Sequence, residues 1–596
     1  MNLRCHSQLA CCVIALGATT PALAVLSVGS SAGCQYAKIQ DAINAAAAND
    51  IIHVEPSHTY SEHLLIVDKS LQLRACACGE SVCATKTRAV VDGATAIKSL
   101  NPLLRVQTTG SNSITVSLSD IDLSNNSSAI DGGGIAWAAQ GQLTLNDVLV
   151  TGNHAPNGAG IYFNGIGTGA TLTFGDNVGI SDNTATANGG GIRIEGLSSF
   201  SMNGSNDQVF QNTADSDGND DGDGGGISIV SPATATIGTA VVGNAAIHSN
   251  TAYNGGGIAF VGSSVDAGST TTSVSVAAND FNHPVRIESN TATRFGGGIY
   301  LRPKVFASAT INSVAFSASG YRIDANTAFD GSAIYADTDS SPGVGAAGGK
   351  VSLVHVTCRS GVECNTIAGN LYGAYPIGGT PASVVVIKTN GQLNARYVRM
   401  HDNTGQYLLR SSGSLSYLGF SLLYGNHVSD ALIMGDTGSQ HLQIGQCTIA
   451  QNTIQGAQVI SGNLELLDDS LIDQPGTAAF GGGPAPVVYD VVAADTDGLP
   501  ADPSIQQQQP LFIDAANDDF RLLVQRYDDG TVTASAGVDH AAAGISQIDI
   551  DGRPYDQDIA SVGANGNVRD LGAFEMQPIS DRIFASGIGD PVLLVY

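Results

Sequence analysis

An all-β solenoid, wound coil upon coil from short parallel strands, is the fold class this sequence predicts. The first observation is a recurrence. Eleven times an aliphatic residue stands three places before an asparagine, usually followed by a glycine run and a second aliphatic residue. Ile247-His248-Ser249-Asn250 leads to Gly255-Gly256-Gly257-Ile258; Ile180 to Asn183, Val209 to Asn212 and Ile287 to Asn290 lead to Ile192, Ile227 and Ile299 in the same way. Shorter copies are Leu123 to Asn126, Val150 to Asn153, Ile323 to Asn326, Val362 to Asn365, Met400 to Asn403, Leu423 to Asn426 and Ile449 to Asn452. The second observation is spacing. The asparagines lie 23 to 40 residues apart, the period at which repeat architectures declare themselves. Third, the runs between repeats alternate in polarity, as in Ser273-Val274-Ser275-Val276 and Gly141 to Val148, with no apolar period long enough for a helix.

Within one repeat each position has a physical reason. The alternating runs read as strands of a few residues. Asn and Gly tolerate positive φ, so the Asn and Gly-Gly-Gly positions are the expected corners. Stacked coils pair each strand in parallel with its counterparts, and asparagines repeated at about 4.8 Å can form amide ladders. The first aliphatic position would point inward and fill the column. That arrangement is a right-handed parallel β-helix.

The paired motifs resemble the repeats of bacterial polymorphic outer-membrane proteins, with an aliphatic residue in place of their phenylalanine, from about Leu123 to Asn452. The resemblance implies a scaffold and leaves function open, since one scaffold carries many functions.

Taken in order, residues 1–24 join Arg4, the apolar stretch Leu9 to Ala18 and Ala22-Leu23-Ala24, the pattern of a secretory signal. The stretch is too short for a membrane anchor. Residues 25–100 are expected to form an N-terminal cap and first coils: Cys34 to Ala46 has helical spacing and Asp50 to Val54 turns to strand, which would cover the open end of the stack. This start resembles the opening coil of pectin-lyase-like proteins, including Thr59-Tyr60-Ser61-Glu62. In an exported chain Cys34, Cys76, Cys78 and Cys83 are disulfide candidates for the cap, and Cys358 with Cys364 for a corner loop. Cys447 is left over. A metal reading of Cys76, Cys78 and Cys83 is weaker, because the spacing is not Cys-x-x-Cys and no histidine is near in sequence.

Residues 101–460 are the repeats. Their insertion from Asp215 to Asp223 places Asp215, Asp217, Asn219, Asp221 and Asp223 as candidate Ca²⁺ ligands, hard oxygens at alternate positions with glycine to turn the chain. A solvated corner loop has the same composition, and position 228 is serine where a calcium loop closes with glutamate. Trp137 reads as packing, and the scattered histidines as corner residues. Residues 461–576 read as final coils and a small β cap region; Asp549-Ile550-Asp551-Gly552 and Asp570-Leu571-Gly572-Ala573-Phe574-Glu575 resemble the C-terminal region of secreted choice-of-anchor β-helix proteins. Residues 577–596 form a tail in which Arg582 to Gly587 resembles those of some exported Gram-negative proteins.

Composition narrows function. Lys and Arg total 25 against 53 acidic residues, a net charge of −28, which argues against nucleic acid and anionic membranes as partners. Polygalacturonase-type motifs are missing: Asn183-Thr184 and Asn250-Thr251 continue with alanine, and neither Gly-His-Gly nor Arg-Ile-Lys occurs. A lyase would need cations gathered at one level, and the candidates Arg193, Arg286, Arg302 and Arg322 are dispersed over the repeats. The expectation is therefore an exported, monomeric, cell-surface or secreted scaffold, adhesin-like and non-catalytic, whose partner is an extracellular polysaccharide. The competing expectation is a carbohydrate-active enzyme of the pectin-lyase-like superfamily, sited at those arginines and the 215–223 loop. No catalytic residue is assigned, and Ca²⁺ is the one expected cofactor.

Overall fold

The computed structural model describes residues 23–56, 58–80, 83, 87–94, 101–239, 246–266, 268–278, 283–342, 345–354, 363–373, 383–436, 441–526, 531–543, 547–559 and 567–577. The expected signal segment up to residue 22, Cys358 and the tail from residue 578 lie outside them.

The chain is a parallel β-helix. Among the described residues forty-two strands join in one wrapped sheet and seven short ones, from Thr251–Asn254 to Thr453–Ile454, in a second. The aliphatic residue after each glycine run sets the register: Ile135 pairs with Ile161, then Ile192, Ile227, Ile258, Ile299, Ile334 and Val385 in successive coils. These side chains are buried and belong to one core running from Leu26 to Ala493. Trp137 lies inside that core, stacked on Phe163 at 5.3 Å with its Nε1–H donating to the Ala139 carbonyl at 2.9 Å.

The asparagine ladder is continuous. In coil after coil the backbone N–H of one asparagine donates to Oδ1 of the next, from Asn126 through Asn153, Asn183, Asn212, Asn250, Asn290 and Asn326. It continues through Asn370, Asn403, Asn426 and Asn452 to Gln474. Two sequence expectations need correction. Asn365 is not a rung; the rung is Asn370, preceded by the buried Ile367, while the Asn365 side chain accepts the Gly320 N–H at 2.9 Å. Nor do the rung asparagines take positive φ. The residue before each does, as at Asp182 (54°), Gln211 (55°), Ser249 (57°) and Ser289 (56°), because this turn directs the next side chain along the stack, where its amide is fully bonded. The first glycine of the triplet also has positive φ, 64° at Gly255, and the second and third lie too close to the next coil for a Cβ.

At the N-terminal end, strand Val25–Val28 pairs in parallel with Ile51–Val54, and between them the helix Ile39–Ala45 buries Ile39, Ala42 and Ile43. The Glu62 carboxylate accepts the Ile39 and Gln40 N–H groups at 2.9 and 3.1 Å, satisfying two donors a helix start leaves open. Disulfides join Cys34 to Cys78 and Cys76 to Cys83, with Cα atoms 5.1 and 5.0 Å apart; Cys364 is also disulfide-bonded. Cys447 is free and buried, and burial pushes its thiol up to about 12.

After Gln507 the stack gives way, among the described residues, to three small antiparallel pairs, the first Phe512–Asp514 with Asp519–Leu522. This C-terminal region packs on the last coils: Ala573 N–H donates to Thr448 Oγ1 at 2.9 Å, and Arg569 pairs with Asp469 at 2.7 Å. Buried carboxylates knit it where regular pairing is sparse. Asp549 accepts the Arg553 and Glu575 N–H groups, Asp570 those of Asp539 and Met576, and Glu575 those of Gln557 and Asp570.

Candidate functional site: a charged cleft on one outer face

Because strand side chains alternate between core and solvent, the register dictates what each outer column presents. One column reads Ala136, Tyr162, Arg193, Ser228, Ala259, Tyr300, Tyr335 and Val386. Two residues on stand Asn164, paired with Glu195, and Val230, paired with Val261 and then Arg302. A flanking column sets Asp223 beside Asn254, Asn254 beside Phe295 and Phe295 beside Asp330. Between these columns lies a cleft of about 550 Å³ walled by Asn188, Arg193, Glu195, Asp223, Val261 and Arg302, among others.

Four of its charged groups pair with one another. Arg193 Nε meets Glu195 Oε2 at 3.1 Å, and Glu195 also accepts the Tyr162 hydroxyl. Arg302 reaches from its own coil past the coil of Ala259 to Asp223 Oδ2 at 3.0 Å, and Asn254 Nδ2 donates to Asp223 Oδ1 at 2.9 Å. Burial pushes the Asp223 carboxyl up, and Arg302 opposes that shift. Beside the cleft, Phe295 and Tyr335 stack at 4.3 Å with Arg294 over the Phe295 ring at 4.5 Å, and the Tyr300 hydroxyl donates to Asp337 at 2.8 Å. A small apolar strip of Val230, Pro232, Val261 and Val265 completes the wall. Chemically, this offers fixed donors, acceptors and an apolar strip. Glu195 and Asp223 are each held by a cation and a further donor, so neither stands as an unbound acid or base.

Of the four dispersed arginines, the structure brings Arg193 and Arg302 to this cleft together with Asp221 and Asp223. Arg286 and Arg322 stand in register with each other on another face, paired with Glu288 at 3.2 Å and Asp324 at 2.7 Å. On that face His401 lies between Glu363 (2.7 Å) and Asp402 (2.8 Å) and stacks on Tyr424; burial opposes its protonation, and the two carboxylates outweigh burial and raise its pKa. The 215–223 loop rims the cleft without drawing its carboxylates together. Asp215 and Asp217 both accept the Asn219 N–H, at 3.1 and 3.4 Å, while Asp223 turns inward to Arg302.

Among the described residues one set of three metal-type ligand atoms lies mutually within 4.8 Å, those of His53, Cys76 and Cys83. Here both sulfurs are spent in a disulfide and His53 Nε2 accepts from Arg74 at 3.0 Å. The proximity of His53 was hidden in the sequence because it comes from the preceding coil. Tyr162 and Glu195 carried no sequence signal either; only the register places them beside Arg193.

Compared with known proteins, the chain matches no family model and no curated protein.

Proposed function

We propose that this protein is an exported β-helix scaffold that holds an extracellular polysaccharide in the cleft around Arg193, Glu195, Asp223 and Arg302. The observation that carries this reading is that cationic and anionic side chains from three coils converge on one cleft and pair there. Paired charges fixed by burial present directional hydrogen-bond partners to sugar hydroxyls, and the valine–proline strip suits the apolar face of a sugar ring. The acidic surface favours neutral or cationic chains over polyuronates. The resemblance of the N-terminal coil to pectin-lyase-like proteins and of the C-terminal string to choice-of-anchor proteins agrees with export. Calcium belongs to the same reading as an ion that would draw Asp215, Asp217 and Asp221 together at the cleft rim.

The test uses purified protein on neutral, cationic and uronate polysaccharides, with and without Ca²⁺. Retention on immobilised polysaccharide, lost in a Glu195→Gln, Arg193→Ala variant, is the expected result. Retention by no polysaccharide would sink the reading. Release of reducing ends or of products absorbing at 235 nm would replace it with the enzymatic one, which the gathering of Arg193 and Arg302 beside Asp221 and Asp223 favours.

A further inference from the structure

A second cavity, of about 730 Å³, opens on another stack of strands, where the last coils meet the C-terminal region. Asn394, Tyr417 and Gln443 line it from one outer column, in register over successive coils. Arg396 and Asp468 line it from the column two residues on, with Gly419 and Gly445 between them and Tyr489 beyond Asp468. The glycine pair keeps the middle of that column low. Tyr417 leans over Gly419, and a Cβ on Gly445 would meet nothing closer than 3.5 Å. Gln547 of the C-terminal region lines the same cavity.

Unlike those of the first cleft, the charges of this cavity are unpaired. Among the described residues Arg396 meets no carboxylate: its Nε donates to Asn394 Oδ1 at 3.3 Å, and its guanidinium carbon lies 4.7 Å from the centre of the Tyr417 ring. Asp468 meets no cation, because Arg569 pairs with the neighbouring Asp469 at 2.7 Å. The amides are half used. Gln443 Nε2 donates to Glu465 at 2.9 Å and Gln547 Oε1 accepts the Tyr397 hydroxyl at 3.2 Å, which leaves the Gln443 carbonyl oxygen and the Gln547 amino group for a ligand. A ligand of net charge gains at one end of this cavity and loses at the other, whereas a sugar hydroxyl both donates and accepts and so suits Asp468 and Arg396 alike. Leu415 on the cavity wall and Tyr489, 55% exposed, offer apolar surface to the ring carbons. We infer that this cavity is a second saccharide site, taking an uncharged sugar chain laid across the coils from Arg396 to Tyr489, a span of about 19 Å at about 4.8 Å per coil. The site shares no residue with the first cleft and stands without it. An immobilised polysaccharide engages both and holds the protein by their joint strength, so losing either ends retention, whereas soluble oligomers report on each site alone.

Calorimetric titration of the full chain with soluble oligomers of glucose, xylose and N-acetylglucosamine, and with galacturonate oligomers as the charged comparison, tests this directly. The Glu195→Gln, Arg193→Ala protein, its first cleft disabled, is expected still to bind a neutral oligomer, at least tenfold more tightly than galacturonate. Adding Asp468→Asn or Tyr489→Ala is expected to weaken that binding at least tenfold. Loss of all neutral binding in the first-cleft variant overturns the inference and leaves the first cleft standing. Unchanged affinity on adding Asp468→Asn or Tyr489→Ala to a folded protein overturns it too, as does equal affinity for galacturonate. Absence of binding of every neutral oligomer to the wild-type protein also overturns it, while the first cleft answers to its own retention assay. Should Asp468→Asn melt early, Tyr489→Ala decides, since its half-exposed side chain lies outside the core.

Discussion

Replacing Asn250 by alanine probes the device that stacks the coils. The Asn250 side chain makes four buried hydrogen bonds. Its Oδ1 accepts the Asn212 backbone N–H and Asn212 Nδ2, both at 3.0 Å; its Nδ2 donates to the Val209 carbonyl at 2.9 Å and to Asn290 Oδ1 at 3.0 Å. These losses are unequal. Asn212 Nδ2 retains the Ile180 and Phe210 carbonyls, and Asn290 Oδ1 retains the Asn250 backbone N–H. The Val209 carbonyl keeps its place in the parallel ladder with the Ile247 strand, and the Asn212 N–H has no such reserve. One stranded backbone N–H gives a cost of about 1–3 kcal/mol. The assay is the urea midpoint and slope, with Asn394→Ala as control, since exposed Asn394 accepts only from Arg396 at 3.3 Å and its loss should stay within about 0.5 kcal/mol. Asn250→Asp keeps the acceptor but loses the donor, setting a carboxylate against two acceptors, and should cost at least as much as alanine. A midpoint for Asn250→Ala matching that of Asn394→Ala would refute the claim that the ladder holds the coils in register.

Four further outcomes follow from the same physics. Serine at Cys34 and Cys78, which close a 44-residue separation, should cost about 4 kcal/mol and at Cys76 and Cys83, separated by 7, about 2 kcal/mol on the loop-entropy estimate, read by calorimetry. Gly256→Ala puts a Cβ 2.5 Å from the Thr291 carbonyl oxygen and 2.7 Å from that of Gly297, both immovable backbone, and should lower the melting temperature, whereas Gly110→Ala meets nothing within 4 Å and should not. Cys447 should resist alkylation at pH 8 until the protein unfolds, since burial both shields its thiol and pushes it up to about 12. In the C-terminal region burial pushes Asp539 and Asp549 up to about 6, and burial with repulsion from neighbouring carboxylates raises Asp570 and Glu575 further. A carboxyl raised in the folded state binds more protons there than in the unfolded chain, so its stabilising effect is complete below the unfolded value of about 4 and is lost as pH rises through about 6 and beyond. Proteolysis of residues 511–577 should accelerate between pH 5 and 8, and Asp570→Asn should flatten that dependence.

How much of this was legible in the sequence depended on whether the information was local. Ile247, Asn250 and the Gly255 triplet carry their roles within one coil, so the stack and the inward aliphatic column could be read directly. The slip from Asn370 to Asn365 has the same origin. Val362 to Asn365 and Ile367 to Asn370 share one spacing, and only pairing with Ile323 and Met400 in the neighbouring coils selects the second. The positive φ at the residue before each rung was likewise out of reach, because that position holds Asp, Asn, Gln, Ser, Ala or Gly without a shared chemistry. The cleft lay still further off. Arg193 and Glu195, Asp223 and Arg302 are separated by up to 109 residues (302 − 193) and meet because insertions of unequal length still return each strand to the same column. Arginines that look scattered along the chain are therefore not scattered on the surface. In a solenoid the coordinate that gathers a site is the column, and a sequence reveals columns only after every coil has been placed in register.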